Sequence, residues 1–173
     1  NDLNEQKPDI RINVFSARPR STRKEYGVDS SFRFNFITLN RKLQSSRMLI
    51  NGGGSLIQDA TSSKSLWYYL YVMYRAYKQG CKIFVYANGI GPIKDRNLKL
   101  AGRITDLADI ITLREESSLN ELTRMGISQE KAKVTADPAI SLKGASDTRI
   151  YELLGEIGID SRRKIIGVSV RDW

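Results

Sequence analysis

Short apolar and β-branched runs alternate along the chain with longer stretches in which apolar residues recur every three or four positions. The runs Ile10–Ser16, Met48–Asn51, Lys82–Ala87, Ile110–Arg114, Lys133–Ala136 and Ile165–Arg171 read as strands. Most are near-continuously apolar and bounded by Gly, Asn, Asp or Pro, as strands covered on both faces are. Helical periodicity covers Phe36–Ser45, Ser63–Gln79, Arg96–Ala108, Glu116–Met125 and Thr148–Ile157. This alternation predicts an α/β fold, a doubly wound, mostly parallel sheet with helices on both faces and right-handed crossovers. No internal repeat or low-complexity segment interrupts it.

The stretch Ser63–Gln79 is the most regular. Leu66, Leu70, Met73 and Tyr77 are spaced 4, 3 and 4, a stripe that faces a core. Lys78 suits the last turn and Gly80 the stop. Trp67, Tyr68, Tyr69, Tyr71 and Tyr74 make the helix aromatic almost all round. Two readings stand: core plus a neighbouring helix, or a contact surface for another subunit, a homo-oligomer, or a membrane.

Composition narrows the chemistry. The chain has 173 residues, 28 Lys and Arg against 19 Asp and Glu, one Cys and no His. At about 150 residues per domain this is one domain, or about half of a two-domain protein. Without His, these residues alone hold no Ser-His-Asp or Cys-His machinery and no His-ligated zinc. A single Cys excludes an internal disulfide. No apolar run is long enough to cross a membrane. Residues 1–100 carry 17 Lys and Arg against 7 Asp and Glu, and residues 101–173 carry 11 against 12. A basic half suggests an anionic partner (a phosphorylated metabolite, a nucleic acid or an anionic membrane) or simply a solvated surface. The most basic segment, Arg18–Lys24, reads as a loop. No RNP-type aromatic motif, zinc-finger spacing or helix-turn-helix accompanies it, so no nucleic acid is expected as partner.

Ligands of open α/β sheets bind beyond the carboxyl ends of the strands, and the unusual residues lie there. Gly52, Gly53 and Gly54 follow the strand at Met48, with Ser55, Gln58, Asp59, Thr61 and Ser62 behind them. Three glycines let backbone N–H groups approach a ligand, and the loop is expected to feed a helix N-terminus that favours negative charge. Its spacing matches neither the dinucleotide nor the Walker motif, and a tight strand-to-helix turn is the plain alternative. Asn88–Gly89–Ile90–Gly91–Pro92 follows the next strand and reads equally as turn or ligand loop. The strand at Ile110 ends on Arg114, a guanidinium that can fork onto a carboxylate or phosphate, or pair with Glu115 or Glu116. Asp137 after the following strand reads as a base, a sugar-hydroxyl acceptor or a cap.

Taken in order, GGGSLIQD at 52–59, ANGIGPI at 87–93, DIITLREESS at 109–118 and KVTADPAI at 133–140 resemble the polysaccharide pyruvyl transferases, most closely the bacterial branch that modifies cell-wall polysaccharide. The segments Ile12–Ser16 and Gly167–Arg171 also look familial, so the resemblance spans nearly the whole chain. It implies transfer of the enolpyruvyl unit of phosphoenolpyruvate onto two hydroxyls of a sugar, giving a ketal and releasing phosphate. In the cell-wall branch the acceptor is an N-acetylmannosamine-containing glycan on a polyprenyl diphosphate, handled at the cytoplasmic face of the membrane. The implied fold is two Rossmann-like lobes of the glycosyltransferase-B kind with the site between them.

Under that resemblance residues 1–162 are the N-terminal lobe lacking its first βα unit, and residues 163–173 start the second lobe. An Arg-and-His motif of the second lobe would then lie outside the chain, which by itself would be inactive. Arg33 and Arg114 match family arginine positions and are the expected anion ligands; Arg171 is a third. Gly52, Gly53, Gly54, Ser55, Gln58, Asp59 and Asn88 would shape the loop or meet the acceptor. The general acid is not assigned, and neither a metal nor a cofactor is expected. The expected partners are phosphoenolpyruvate as donor substrate and a lipid-linked sugar acceptor, with peripheral membrane contact from the cytoplasm. Two alternatives remain: a nucleotide-sugar glycosyltransferase of the same two-lobe fold, and a non-catalytic anion- or glycan-binding domain.

Overall fold

The computed structural model describes Lys7, residues 9–160 and residues 164–168. Strand β1 (Asn13–Ser16), helix α1 (Pro19–Tyr26) and strand β2 (Asp29–Phe32) form a parallel two-stranded unit. Helix α2 (Phe36–Gln44) leads to β3 (Met48–Gly52). Then α3 (Ser63–Lys78), β4 (Lys82–Asn88), α4 (Asp95–Thr105), β5 (Ile110–Leu113), α5 (Ser117–Arg124) and β6 (Ala132–Val134) follow. Strands β3 to β6 make a four-stranded parallel sheet in sequence order, each pair joined through a helix. The architecture is Rossmann-like α/β, with all strand carboxyl ends of this sheet on one edge. Two compact units result, one up to Pro138 and one from Ala139 on. The second contains α6 (Asp147–Glu156), whose N-cap Ser146 accepts a hydrogen bond from the Arg149 N–H.

The sheet's core follows the apolar runs. Ile83 and Val85 of β4, Ile111 and Leu113 of β5, and Leu66, Leu70 and Met73 of α3 are buried together. Gly80, with φ of 76°, ends α3 in the left-handed region, where a side chain would be strained. The stripe on α3 is one residue shorter than its spacing predicts, because Tyr77 is half exposed. Trp67, Tyr71 and Tyr74 are also exposed, and the Trp67 indole N–H donates to Asn97 Oδ1 on α4 at 3.2 Å.

Two local expectations fail, and one strand was not foreseen. Arg18–Lys24 is not a loop but most of α1, which begins with Pro19 in its first turn and ends at Gly27 with φ of 64°. Those are the N-terminal Pro and C-terminal Gly signals of a helix; with no buried residue the helix has no apolar stripe to betray it. The polar run Asp29–Phe32 is a strand, held by serine hydroxyls: Ser30 donates to the Val14 carbonyl and Ser31 to Asn13 Oδ1, both at 2.9 Å. Residues 164–168 form no strand, so the strand expected at Ile165–Arg171 is absent where the structure describes it. Its remainder, with Arg171, lies outside the described residues.

Candidate functional site

The glycine loop runs alongside the end of β4 rather than into a helix. Gly53 and Gly54 both have φ of 81°, a conformation that L side chains rarely adopt, and a Cβ on either would meet only open space. The chain then pairs with the segment after β4. Gly89 N–H donates to the Gly54 carbonyl at 3.3 Å, Gly91 N–H to Ile57 at 2.8 Å, and Asp59 N–H to Pro92 at 3.2 Å. Helix α3 begins only at Ser63, after Ser55–Ser62, so the expected helix N-terminus behind the glycines is not there.

Asn88 holds this arrangement. Its side chain is fully buried; Nδ2 donates to the Asn51 carbonyl at 2.9 Å and Oδ1 accepts from Leu56 N–H at 3.1 Å. Just before it Ala87 has φ of 44°, an uncommon value for a residue with a Cβ, and the β4–β5 register shifts between Val85 and Asn88. The Ala87 N–H donates to Thr112 Oγ1 at 2.8 Å, and the Ile90 N–H donates to the buried Ser118 Oγ at 2.9 Å. The turn is therefore fixed from β3, β5 and α5 at once.

Arg114, the first residue beyond β5, reaches over this turn. Its Nη2 donates to Ser55 Oγ at 3.0 Å and its Nη1 to Asp137 Oδ2 at 3.2 Å. The carboxylate beside it is Asp137, beyond β6, and not Glu115 or Glu116, neither of which pairs with it among the described residues. A Cβ on Gly89 would lie 2.7 Å from Ser55 Oγ, 2.7 Å from Glu115 Oε1 and 3.2 Å from Arg114 Nε. Three side chains, one from beyond β3 and two from beyond β5, thus converge on Gly89 beyond β4, and Asp137 beyond β6 holds Arg114 among them. Guanidinium carries five N–H donors, and these two hydrogen bonds engage two of them.

Other expected site residues serve the scaffold. Asp59 is buried, and its carboxylate accepts from the Lys94 N–H at 2.9 Å and from Asn97 Nδ2 at 2.6 Å. It caps α4 and ties it to the glycine loop. Burial acts to raise its pKa, but the hydrogen bonds from Lys94, Asn97 and Ser63 outweigh this and hold it below the ordinary value. Gln58 closes its own turn, with Oε1 accepting from Ala60 N–H at 2.8 Å and Nε2 donating to Thr61 Oγ1 at 3.2 Å. Gly52 lies against Tyr86, whose Cβ is 3.1 Å from where a Cβ would stand.

Arg33 follows β2 and makes a different set of contacts. Its N–H donates to the Ser16 carbonyl at 3.0 Å, its carbonyl accepts from the Tyr68 hydroxyl at 3.0 Å, and its guanidinium carbon is 4.6 Å from the centre of the Phe34 ring. Its Nε is buried with no hydrogen-bond partner among the described residues. Buried donors are usually satisfied, and an orphaned one costs about 1–3 kcal/mol.

Sequence reasoning missed Gly89 as the point of convergence and Thr112 and Ser118 as its supports. The Asn-Gly pair was visible, but the partners come from other strands. Among the described residues no group of three His, Cys, Asp or Glu side chains could hold a metal ion, and no helix is long and apolar enough to cross a membrane.

A family model described as polysaccharide pyruvyl transferase matches residues 1–170. No curated protein and no solved structure matches the chain.

Proposed function

Because the chain belongs to the polysaccharide pyruvyl transferase family, we propose that it helps transfer a pyruvyl group from phosphoenolpyruvate to a sugar of a lipid-linked cell-wall glycan. The product is a pyruvate ketal on two sugar hydroxyls, and phosphate is released. The observation that carries this reading is the Arg114 guanidinium, held between Ser55 and Asp137 over Gly89 beside an open glycine loop.

Phosphoenolpyruvate presents two anionic ends, a carboxylate and a phosphate. Arg114 takes one of them with the N–H groups that its protein contacts leave over, and the exposed backbone of Gly53 and Gly54 lies beside it. Arg33 takes an anion with its buried Nε, which gains there the partner it lacks. The methylene carbon gains a proton, and two acceptor oxygens bond to the neighbouring carbon as its bond to the phosphate oxygen breaks. The two hydroxyl protons lost balance the one on the methyl group and one on the departing phosphate. Here Arg33 and Arg114 bind and orient, while Asn88 and Asp59 hold the loop; the proton donor is not assigned to a residue of this chain. A polyprenyl diphosphate carrier places the reaction at the inner face of the membrane, with the protein cytoplasmic and touching the surface peripherally.

The test is phosphate release from phosphoenolpyruvate by the full-length enzyme in the presence of a lipid-linked or model acceptor sugar. Sugar-dependent release, lost in Arg114→Ala, is expected. Absence of sugar-dependent release from the wild type overturns the reading.

A further inference from the structure

The β1–α1–β2 unit carries a second cluster of cations. An open groove of about 540 Å³ is lined by Arg18, Arg20 and Arg23, with Ser21, Ser31 and Thr38 among its hydroxyl-bearing walls. Its size falls within the roughly 300–1,000 Å³ of small-molecule sites. Arg20 and Arg23 are three residues apart on α1 and so share a face, and Arg18 is the N-cap of the same helix. None of the three makes an ion pair among the described residues. Arg18 places no side-chain cap on the helix and Pro19 has no N–H, so the Arg20 and Ser21 N–H groups of the first turn add positive potential at the same end. Ser16 anchors this start, accepting from the Arg18 N–H at 3.0 Å and from the Thr22 hydroxyl at 2.8 Å. The groove shares no residue with the Arg114 cluster.

Three uncompensated guanidinium groups on one small concavity repel each other, and a polyanion relieves that repulsion. Guanidinium forks match phosphate oxygens, and the Ser21 and Thr38 hydroxyls supply neutral donors, the Ser31 hydroxyl being engaged by Asn13 Oδ1. We propose that this groove binds a phosphate or diphosphate ester, apart from the anion held by Arg114. Only the identity of the groove's ligand rests on the pyruvyl-transfer reading: there it is the diphosphate of the lipid-linked acceptor, and the other source is the phosphate of the donor.

Titration calorimetry of the chain at low salt tests this, with inorganic pyrophosphate as probe. Saturable binding is expected, weakened tenfold or more in Arg20→Gln/Arg23→Gln. Both arginines are exposed, so the variant keeps its fold. Lys24→Gln/Lys99→Gln removes the same charge outside the groove and is expected to weaken binding threefold or less. Competition by geranyl diphosphate but not by phosphoenolpyruvate assigns the groove to the acceptor; the reverse assigns it to the donor. No saturable binding, or an equal loss in the lysine variant, overturns the proposal. Pyrophosphate binding together with a wild-type enzyme that releases no phosphate would sink the pyruvyl-transfer reading and leave the groove intact. Turnover without pyrophosphate binding would do the opposite.

Discussion

The Asn88 side chain donates to the Asn51 carbonyl at 2.9 Å, joining the ends of β4 and β3 where the glycine loop departs. The same side chain accepts from Leu56 N–H beyond the glycines, so one buried amide closes the loop from both sides. Asn88→Ala strands both partners. Each orphaned buried group costs about 1–3 kcal/mol, and urea unfolding is expected to show a loss of about 2 kcal/mol or more. An unchanged midpoint would show that the loop closes without the staple.

Arg114→Lys keeps the charge but not the planar fork that spans Ser55 and Asp137. Under the proposed pyruvyl transfer, the KM for phosphoenolpyruvate is expected to rise tenfold or more, which is about 1.4 kcal/mol of binding. Thermal unfolding is expected to move little, because the side chain is part exposed. A variant with wild-type KM would remove Arg114 from the proposed binding site.

Two glycines separate site from scaffold. A Cβ on Gly89 meets the ends of side chains, Ser55 Oγ, Glu115 Oε1 and Arg114 Nε, which can swing away. Gly89→Ala is therefore expected to cost under about 1 kcal/mol of stability and most of the activity. A Cβ on Gly102, inside α4, would stand 2.1 Å from the Met125 carbonyl oxygen, and backbone cannot swing. Gly102→Ala gains about 1 kcal/mol of helix propensity. Overpacking costs about 1–3 kcal/mol or more, so a net loss is expected by chemical denaturation. Equal effects of the two substitutions would contradict this division.

Asp59 gives the fold an acid limit. Its pKa is lowered in the folded state despite burial, so the carboxylate binds fewer protons folded than unfolded. Its stabilising contribution is complete above the unfolded value of about 3.9 and is lost as pH falls below that towards the lower folded value. Unfolding free energy measured from pH 6 down to pH 2.5 is expected to drop across that window. Asp59→Asn starts from a lower stability, because the new amide places a donor against those of Asn97 and Ser63. Its profile is expected to be flatter by one proton's linkage. A slope identical to wild type would show that other carboxylates set the limit.

Much of the fold was legible along the chain. β3, β4 and β5 begin where their apolar runs begin, and α3 starts at its predicted Ser63, because Leu49, Ile83, Val85, Ile111 and Leu113 at alternate strand positions and the Leu66–Leu70–Met73 stripe bury apolar surface. α1 and β2 were not legible. One buries no residue and the other is Asp-Ser-Ser-Phe, so neither carries a periodic apolar signal. The glycine loop and Arg114 were readable as strand-end features, since Gly, Asn and Arg in those places are unusual wherever they occur.

By itself the sequence determined the alternation of strands and helices, the concentration of positive charge in residues 1–100 and the family to which the chain belongs. These are local or additive properties, written in neighbouring residues and in composition. Only the tertiary structure decided that Arg114 meets Asp137, 23 residues on, and Ser55, 59 residues back. It also decided that Asp59 turns inward to cap a helix, and that three arginines of an apparent loop line one groove. Those pairings depend on which strands lie side by side, and strand order is set by packing of the whole sheet rather than by any segment of it.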